Sequence, residues 1–160
     1  MPKYAPSSYD DYFCLKPPFF LWVVAIYLAR AIALPVAMGV GRVAGVSADA
    51  TQLLQSLISL QTMLPSAIAA AVLYTMYRRV PGASQPVRWI WAHGRMLLVA
   101  SAIIDLGLSL ASLLRQADMA EQLPTGLLTA GLDLCFLIYL LAVRRVRDVF
   151  ADFPMLLTQR

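Results

Sequence analysis

An apolar stretch from Pro18 to Ala44 constrains the fold of this chain more than any other feature of its sequence. The stretch is longer than the ~20 residues that a helix needs to cross the ~30 Å hydrocarbon core of a bilayer. Arg30 lies near its middle, where a guanidinium costs about 2.5–3.5 kcal/mol on membrane-insertion scales. We therefore expect an acidic side chain from elsewhere in the chain to lie against Arg30.

The composition of the whole chain indicates a single membrane domain over residues 1–160. Hydrophobic residues make up 60% of the sequence and charged residues 14%, whereas soluble domains average about 45–50% and 25%. The net charge of +4 and the pI near 9.3 could suggest nucleic-acid binding. The basic residues lie beside apolar segments rather than on one soluble face, so no nucleic-acid partner is expected.

Three further apolar stretches complete a prediction of four membrane spans. The spans are predicted at about residues 18–44, 57–77, 92–114 and 124–143. Short loops between them, with no competing strand pattern, indicate an all-α polytopic membrane protein with a four-transmembrane-helix bundle. Pro35 and Pro65 are expected to bend the first and the second span.

The segment 144–153 after the fourth span has the pattern of an amphipathic helix. Its apolar residues fall at helical spacing, at Val146, Val149, Phe150 and Phe153. This pattern predicts an interfacial helix lying along the lipid headgroups. A helix that binds a protein partner is the alternative.

The distribution of basic residues predicts the orientation of the spans. With both termini in the cytoplasm, the outer side holds only Arg42 and Arg115. The cytoplasmic side then holds Lys3, Lys16, Arg78, Arg79, Arg88, Arg95, Arg144, Arg145, Arg147 and Arg160. Such an asymmetry in short loops is typical of cytoplasmic termini.

Three ionisable residues fall at one depth of the predicted bundle. At ~1.5 Å per residue, Arg30 and Asp105 lie ~18 and ~20 Å from the cytoplasmic ends of their spans, and Asp133 lies ~14 Å below the outer end. All three are therefore near the midplane, where each is expected to avoid lipid. Hydroxyl residues accompany the acids at helical spacing and extend outward, with Ser101, Ser109 and Ser112 near Asp105, and Thr125 and Thr129 near Asp133.

Two readings of this intramembrane polar cluster compete. In the first, Arg30 pairs with one aspartate, hydroxyls satisfy the other, and the network only fixes which helices adjoin. In the second, one arginine cannot neutralise two carboxylates, so the less well paired aspartate holds a proton and can exchange it. Gln61, Thr62 and Ser66 add polar groups at a comparable outer depth, and a polar crevice that opens outward is a further expectation.

The first span also carries small residues at every fourth position. They are Ala25, Ala29, Ala33, Ala37, Gly41 and Gly45. Such a face lets another helix approach closely. The partner helix is within the chain, in a second copy or in a different subunit.

No constellation of residues in the sequence predicts catalysis, a metal site or a cofactor. There is no Ser/His/Asp set, no Gly-rich phosphate loop and no CxxC pair. His93, the only histidine, is expected at the inner interface as a satisfied imidazole. Cys14 precedes the first span and Cys135 lies inside the last, so a disulfide between them is not expected.

The N-terminal part of the chain resembles a known family. Tyr9-Asp10, Cys14-Leu15-Lys16-Pro17-Pro18, Leu21-Trp22 and Tyr27-Leu28-Ala29-Arg30 are similar to the opening of the YfeZ-like family of small bacterial inner-membrane proteins. The four-span layout and the length also fit that family. The resemblance implies a multi-pass protein of the bacterial inner membrane, of unknown function.

The leading functional hypothesis is a non-enzymatic accessory or assembly subunit of a membrane complex. Small size, little soluble mass and a helix face suited to association favour it, with the lipid bilayer and other membrane subunits or a second copy as partners. The alternative is a channel or a proton-coupled transport component that uses the polar cluster. A lipid- or envelope-related enzyme is the third hypothesis, and it would need a reactive constellation that the sequence does not contain.

Overall fold

The computed structural model describes Tyr4 and residues 8–10, 14–43, 63–115 and 123–154. These parts of the chain form seven helices and no strand, which confirms the all-α prediction. In chain order the helices are α1 (Phe19–Leu28), α2 (Arg30–Val43), α3 (Met63–Tyr77), α4 (Gln85–Ala92), α5 (Gly94–Arg115), α6 (Leu123–Ala142) and α7 (Arg144–Ala151).

Among the described helices, only α5, over Gly94–Leu114, is by itself long and apolar enough to cross a membrane. Up to three spans result if α1 with the first part of α2, and α6 with α7, are each counted as one bent span. α3 is apolar but shorter, and the beginning of its predicted span, residues 57–62, lies outside the described residues. α5 and α6 agree with the predicted spans 92–114 and 124–143 to within two residues.

The first predicted span is not continuous, because the chain bends by 86° between α1 and residues Arg30–Val36. The break falls at Ala29, six residues before Pro35, and Pro35 lies inside α2. The break in this span is therefore at Ala29, six residues from the bend predicted at Pro35. Contacts from other helices hold the break at Ala29, and the local proline rule takes no account of such contacts. Pro65 lies in the first described turn of α3, where a proline is tolerated.

The helices share one core. α5 packs along α6 and α3, and α3 packs along α1 and α2. Fully buried side chains from α1, α3, α5 and α6 meet at Leu21, Val24, Leu28, Val72, Leu98 and Leu140. At the centre of this core, α1, α3 and α6 therefore pack closely against α5.

α7 turns by 64° from α6 and packs back onto the protein. Val146, Val149 and Phe150 are buried, and the Phe150 ring lies 4.8 Å from the Trp91 ring of α4. Gly94 permits this approach, because a Cβ there would collide with the Phe150 ring. The apolar face of α7 therefore contacts the protein's own core, and the interfacial position of the segment 144–153 stays a prediction.

Candidate functional site

The break at Ala29 is stabilised by a hydroxyl from a neighbouring helix. The Ser66 hydroxyl of α3 donates to the Leu28 carbonyl at 2.9 Å and accepts from the Ala31 N–H at 3.3 Å. A break in a helix frees backbone groups, and a buried group without a partner is costly. Ser66 supplies a partner on each side of the break, so it holds the bend that places Arg30 at the start of α2.

Arg30 and Asp105 form a two-pronged ion pair inside the protein. The guanidinium donates to both carboxylate oxygens of Asp105, from Nη1 at 2.6 Å and from Nη2 at 3.0 Å. The Asp105 side chain is 3% exposed and that of Arg30 is 17% exposed. The ring of Tyr27 lies 4.4 Å from the guanidinium carbon, which adds a cation–π contact. Two parallel hydrogen bonds to one carboxylate need the planar guanidinium of an arginine, and a lysine could not form both in this geometry.

Asp133 lies next to this pair and has far fewer partners. Its side chain is fully buried, and the Ser109 hydroxyl donates to its Oδ2 at 3.0 Å. Oδ1 of Asp133 and the hydroxyl of Tyr27 are buried without a well-aligned hydrogen bond in the described parts of the chain, and the two side chains lie close enough to interact with each other. Asp133 interacts electrostatically with Tyr27, Arg30 and Asp105. We call these residues, together with Ser109, the interior charge cluster.

The hydroxyls predicted to accompany the acids divide into two groups. Ser109 contacts Asp133, whereas Ser101 donates to the Pro65 carbonyl at 2.8 Å and joins α5 to α3. Ser112 and Thr129 donate to backbone carbonyls of their own helices. The structure therefore brings Arg30, Asp105, Asp133 and Ser109 together and leaves Ser101 and Thr129 with other partners. Gln61, Thr62 and the Thr125 side chain, part of the predicted crevice, lie outside what the structure describes.

The predicted face of small residues does not run along one helix. Ala25 and Ala29 are buried in the core, and the 86° bend at Ala29 separates them from Ala33. The structure does not describe the surroundings of Ala37 and Gly41, and Gly45 lies outside the described residues. The described end of this face therefore packs within the chain, because the N-terminal half of the span lies against α3 and α5.

A second polar site, which the sequence did not reveal, is centred on Arg79. This arginine is only 8% exposed, and it donates to the Leu15 carbonyl at 2.8 Å and to the Asp152 carbonyl at 3.1 Å. The Trp91 indole N–H also donates to the Asp152 carbonyl, and the Asp152 carboxylate accepts from the Leu15 N–H at 2.9 Å. We call these four residues the Arg79 clamp. It ties the segment before α1 and the segment after α7 to the end of α3.

The signal for the Arg79 clamp is the spacing of Arg79, two residues after α3 ends at Tyr77, from the buried residues of that helix. Arg79 follows Val72 by seven residues and Thr75 by four, and both of these are buried on the inner face of α3. Its neighbour Arg78 is exposed. The phase of α3 therefore distinguishes the two arginines, which residue type alone does not.

The cysteines and the histidine have no arrangement that suggests chemistry. Cys14 is buried and Cys135 exposed, and both thiols are free. Burial, together with the nearby Asp152 carboxylate, raises the pKa of the Cys14 thiol to about 11. The His93 ring stacks on Trp89 at 4.7 Å. No group of three or more potential metal ligands occurs among the described residues.

These features define an all-helical protein that has long apolar helices and a charged cluster in its interior. The chain belongs to the family described as "Protein of unknown function (DUF2919)", whose model matches residues 4–152. Neither a curated protein nor a solved structure matches the chain. The family match gives no substrate, cofactor or residue role, and it does not carry the YfeZ-like name.

Proposed function

We propose that the chain is a multi-pass protein of the bacterial inner membrane, with four spans and both termini in the cytoplasm. Large apolar side chains exposed around α5 and α6 support a lipid environment, among them Ile103, Leu128 and Ile138. The Arg79 clamp joins Leu15 to Asp152, which supports placing both ends of the chain on one side. The similarity of the N-terminal segment to YfeZ-like proteins supports the bacterial inner membrane.

The function that this architecture supports best is that of a non-enzymatic accessory or assembly subunit. The observation that carries the proposal is a narrow outward stripe on α5, which we call the α5 stripe. All its residues are exposed, and they recur at alternating spacings of four and three: Met96, Ala100, Ile103, Gly107, Leu110 and Leu114. Large and small side chains in this spacing form the ridge and groove into which another membrane helix packs.

The exposed surface of α6 differs in a way that supports this choice. It is broad, and leucine dominates it: Leu127, Leu128, Gly131, Leu132, Leu134, Cys135, Ile138, Leu141 and Ala142. A broad apolar face is suited to acyl chains, whereas the α5 stripe presents one narrow seam. The association surface that we propose is therefore on α5, and not on the small-residue face of the first span.

A pair of matched glycine substitutions tests the proposal. A Cβ at Gly107 or at Gly131 would meet nothing within 4 Å, so Gly107→Leu and Gly131→Leu add the same bulk at two exposed positions where a side chain has room to begin. The tagged protein is purified in mild detergent at native expression, and co-purifying proteins are identified. We expect a membrane partner or a second copy to co-purify with the wild type and Gly131→Leu and to be lost with Gly107→Leu.

Either of two results would count against the subunit proposal. One is a lone monomer from wild-type membranes. The other is equal recovery of the partner with both glycine variants. Co-expression of two differently tagged copies separates a homo-oligomer from a complex with another protein.

The second candidate function is a channel or a proton-coupled transport component. A specific observation favours it, since a helix broken at the depth of a charged cluster is a feature of transporter binding sites. Here the break at Ala29 adjoins Arg30, and Asp133 lies beside it. Reconstituted vesicles with an imposed pH gradient should then show a flux that Asp133→Asn abolishes, whereas a pure assembly subunit gives no flux.

A further inference from the structure

The interior charge cluster contains one cation and two acids, and its hydrogen bonds are divided unequally between the acids. Arg30 directs two donors at Asp105, at 2.6 and 3.0 Å. Asp133 receives one well-aligned hydrogen bond, from the neutral hydroxyl of Ser109, and its Oδ1 faces only the neutral Tyr27 hydroxyl without a well-aligned bond. The arginine is therefore committed to Asp105.

An ionised Asp133 would be a buried charge without a counter-ion of its own, because Arg30 is paired with Asp105. Its side chain is fully buried, near the middle of α6. The penalty for burying an unpaired ion is large even after relaxation, and one neutral hydrogen bond recovers only a small part of it. A bound proton removes this penalty and leaves the cluster electrically neutral, with one guanidinium and one carboxylate.

We propose that Asp133 is a proton-binding site, with the proton on Oδ1, while Asp105 is the ionised partner of Arg30. We assign the hydroxyl oxygen of Tyr27 as the acceptor of this proton, since Tyr27 interacts with Asp133 and its hydroxyl is buried without a well-aligned hydrogen bond. The titratable and charged groups that act on Asp133 come from three elements: Tyr27 of α1, Arg30 of α2 and Asp105 of α5, with the Ser109 hydroxyl also on α5. The inference requires no partner protein and no flux, so it stands apart from both proposed functions.

A hydrophobic carbodiimide tests the assignment directly, because this class of reagent modifies protonated carboxylic acids in apolar surroundings. The full chain in native membrane vesicles is treated with dicyclohexylcarbodiimide at neutral pH, and the modified residues are identified by peptide mass spectrometry. We expect an adduct on Asp133 and none on Asp105. As a control, protein unfolded in detergent should be modified at both aspartates. Modification of Asp105 alone in native vesicles would overturn the proposal, and so would modification of neither aspartate there while the control is modified at both.

Two variants change which acid carries the proton. Asp105→Asn removes the preferred partner of Arg30, so the guanidinium turns to Asp133 and labelling of Asp133 should fall at least about tenfold. Arg30→Gln removes the cation, so both aspartates hold protons and both should be labelled. Unchanged labelling of Asp133 in Asp105→Asn would show that Arg30 does not select between the acids.

A spectroscopic measurement on unlabelled protein keeps the proposal falsifiable if a variant fails to insert. The infrared spectrum of the wild type should contain the carbonyl stretch of a protonated carboxylic acid, and raising the pH should remove it. Asp133→Asn, which is neutral like the protonated acid, should lack the band and keep the wild-type elution profile. A wild-type spectrum without the band would also overturn the proposal.

Discussion

The unequal pairing of the two acids predicts a specific pattern of stabilities among three asparagine variants. Asp133→Asn replaces one neutral group by another, and its amide can still accept from Ser109, so it should cost less than about 1 kcal/mol. Asp105→Asn breaks the ion pair but leaves Asp133 able to pair with Arg30, so it should lower the free energy of unfolding by about 1–3 kcal/mol. The double variant leaves a buried guanidinium without any carboxylate, which costs about 3–5 kcal/mol.

The double variant should therefore exceed the sum of the single variants by about 1 kcal/mol or more, as expected for groups in one network. Unfolding of the purified protein in mixed micelles, with a rising fraction of sodium dodecyl sulfate, gives the three free energies. Fluorescence of the buried Trp91 reports the transition. Strictly additive costs, or an Asp133→Asn variant as unstable as Asp105→Asn, would refute the division of roles between the acids.

Three further predictions concern the Arg79 clamp, the break at Ala29 and the buried Cys14 thiol. Arg79→Gln should cost about 1.5–3 kcal/mol for each charged hydrogen bond lost and expose the N-terminal segment to limited proteolysis, whereas the exposed neighbour Arg78→Gln should leave the digestion pattern unchanged. Ser66→Ala leaves the Leu28 carbonyl and the Ala31 N–H unpaired at the break, so a loss of about 1–3 kcal/mol is expected in the same micelle titration, and a loss within error would show that the break does not need Ser66. In a Cys135→Ser background, alkylation of Cys14 should be slow at neutral pH and speed up toward the pKa of about 11, and rapid alkylation at pH 7 would contradict the buried site. Since unfolding lowers that pKa to about 9, the contribution of the Cys14 thiol to stability should be fully present below pH 9 and be lost as the pH rises to 11.

Much of the helical layout could be predicted from hydropathy and length. α5 and α6 are long apolar segments bounded by polar loops, and such patterns need no tertiary information. Arg30, Asp105 and Asp133 could likewise be predicted to lie at one depth in the membrane, because the rise per residue alone sets depth along a helix. Which aspartate Arg30 contacts depends on the rotation of each helix about its axis, and the sequence does not fix that rotation.

The features that could not be predicted depend on contacts between distant residues. The break at Ala29 contains neither glycine nor proline, and Ser66 of α3 and Asp105 of α5 hold it from outside the span. In the Arg79 clamp, Arg79 donates to the backbone carbonyls of Leu15 and Asp152. Every residue has such a carbonyl, so residue type does not predict the contact. The tail helix α7 showed the right amphipathic pattern, but the pattern does not distinguish a lipid surface from the protein's own core.

The pairing inside the interior charge cluster can be measured without a variant. Solid-state NMR of the full chain in lipid bilayers, with ¹⁵N in the arginine guanidinium and ¹³C in the aspartate carboxyl groups, reports dipolar couplings that fall steeply with distance. We predict a strong coupling between Arg30 and Asp105, consistent with hydrogen bonds of 2.6 and 3.0 Å, and a clearly weaker one between Arg30 and Asp133. A guanidinium coupled equally to both acids, or to neither, would contradict the account.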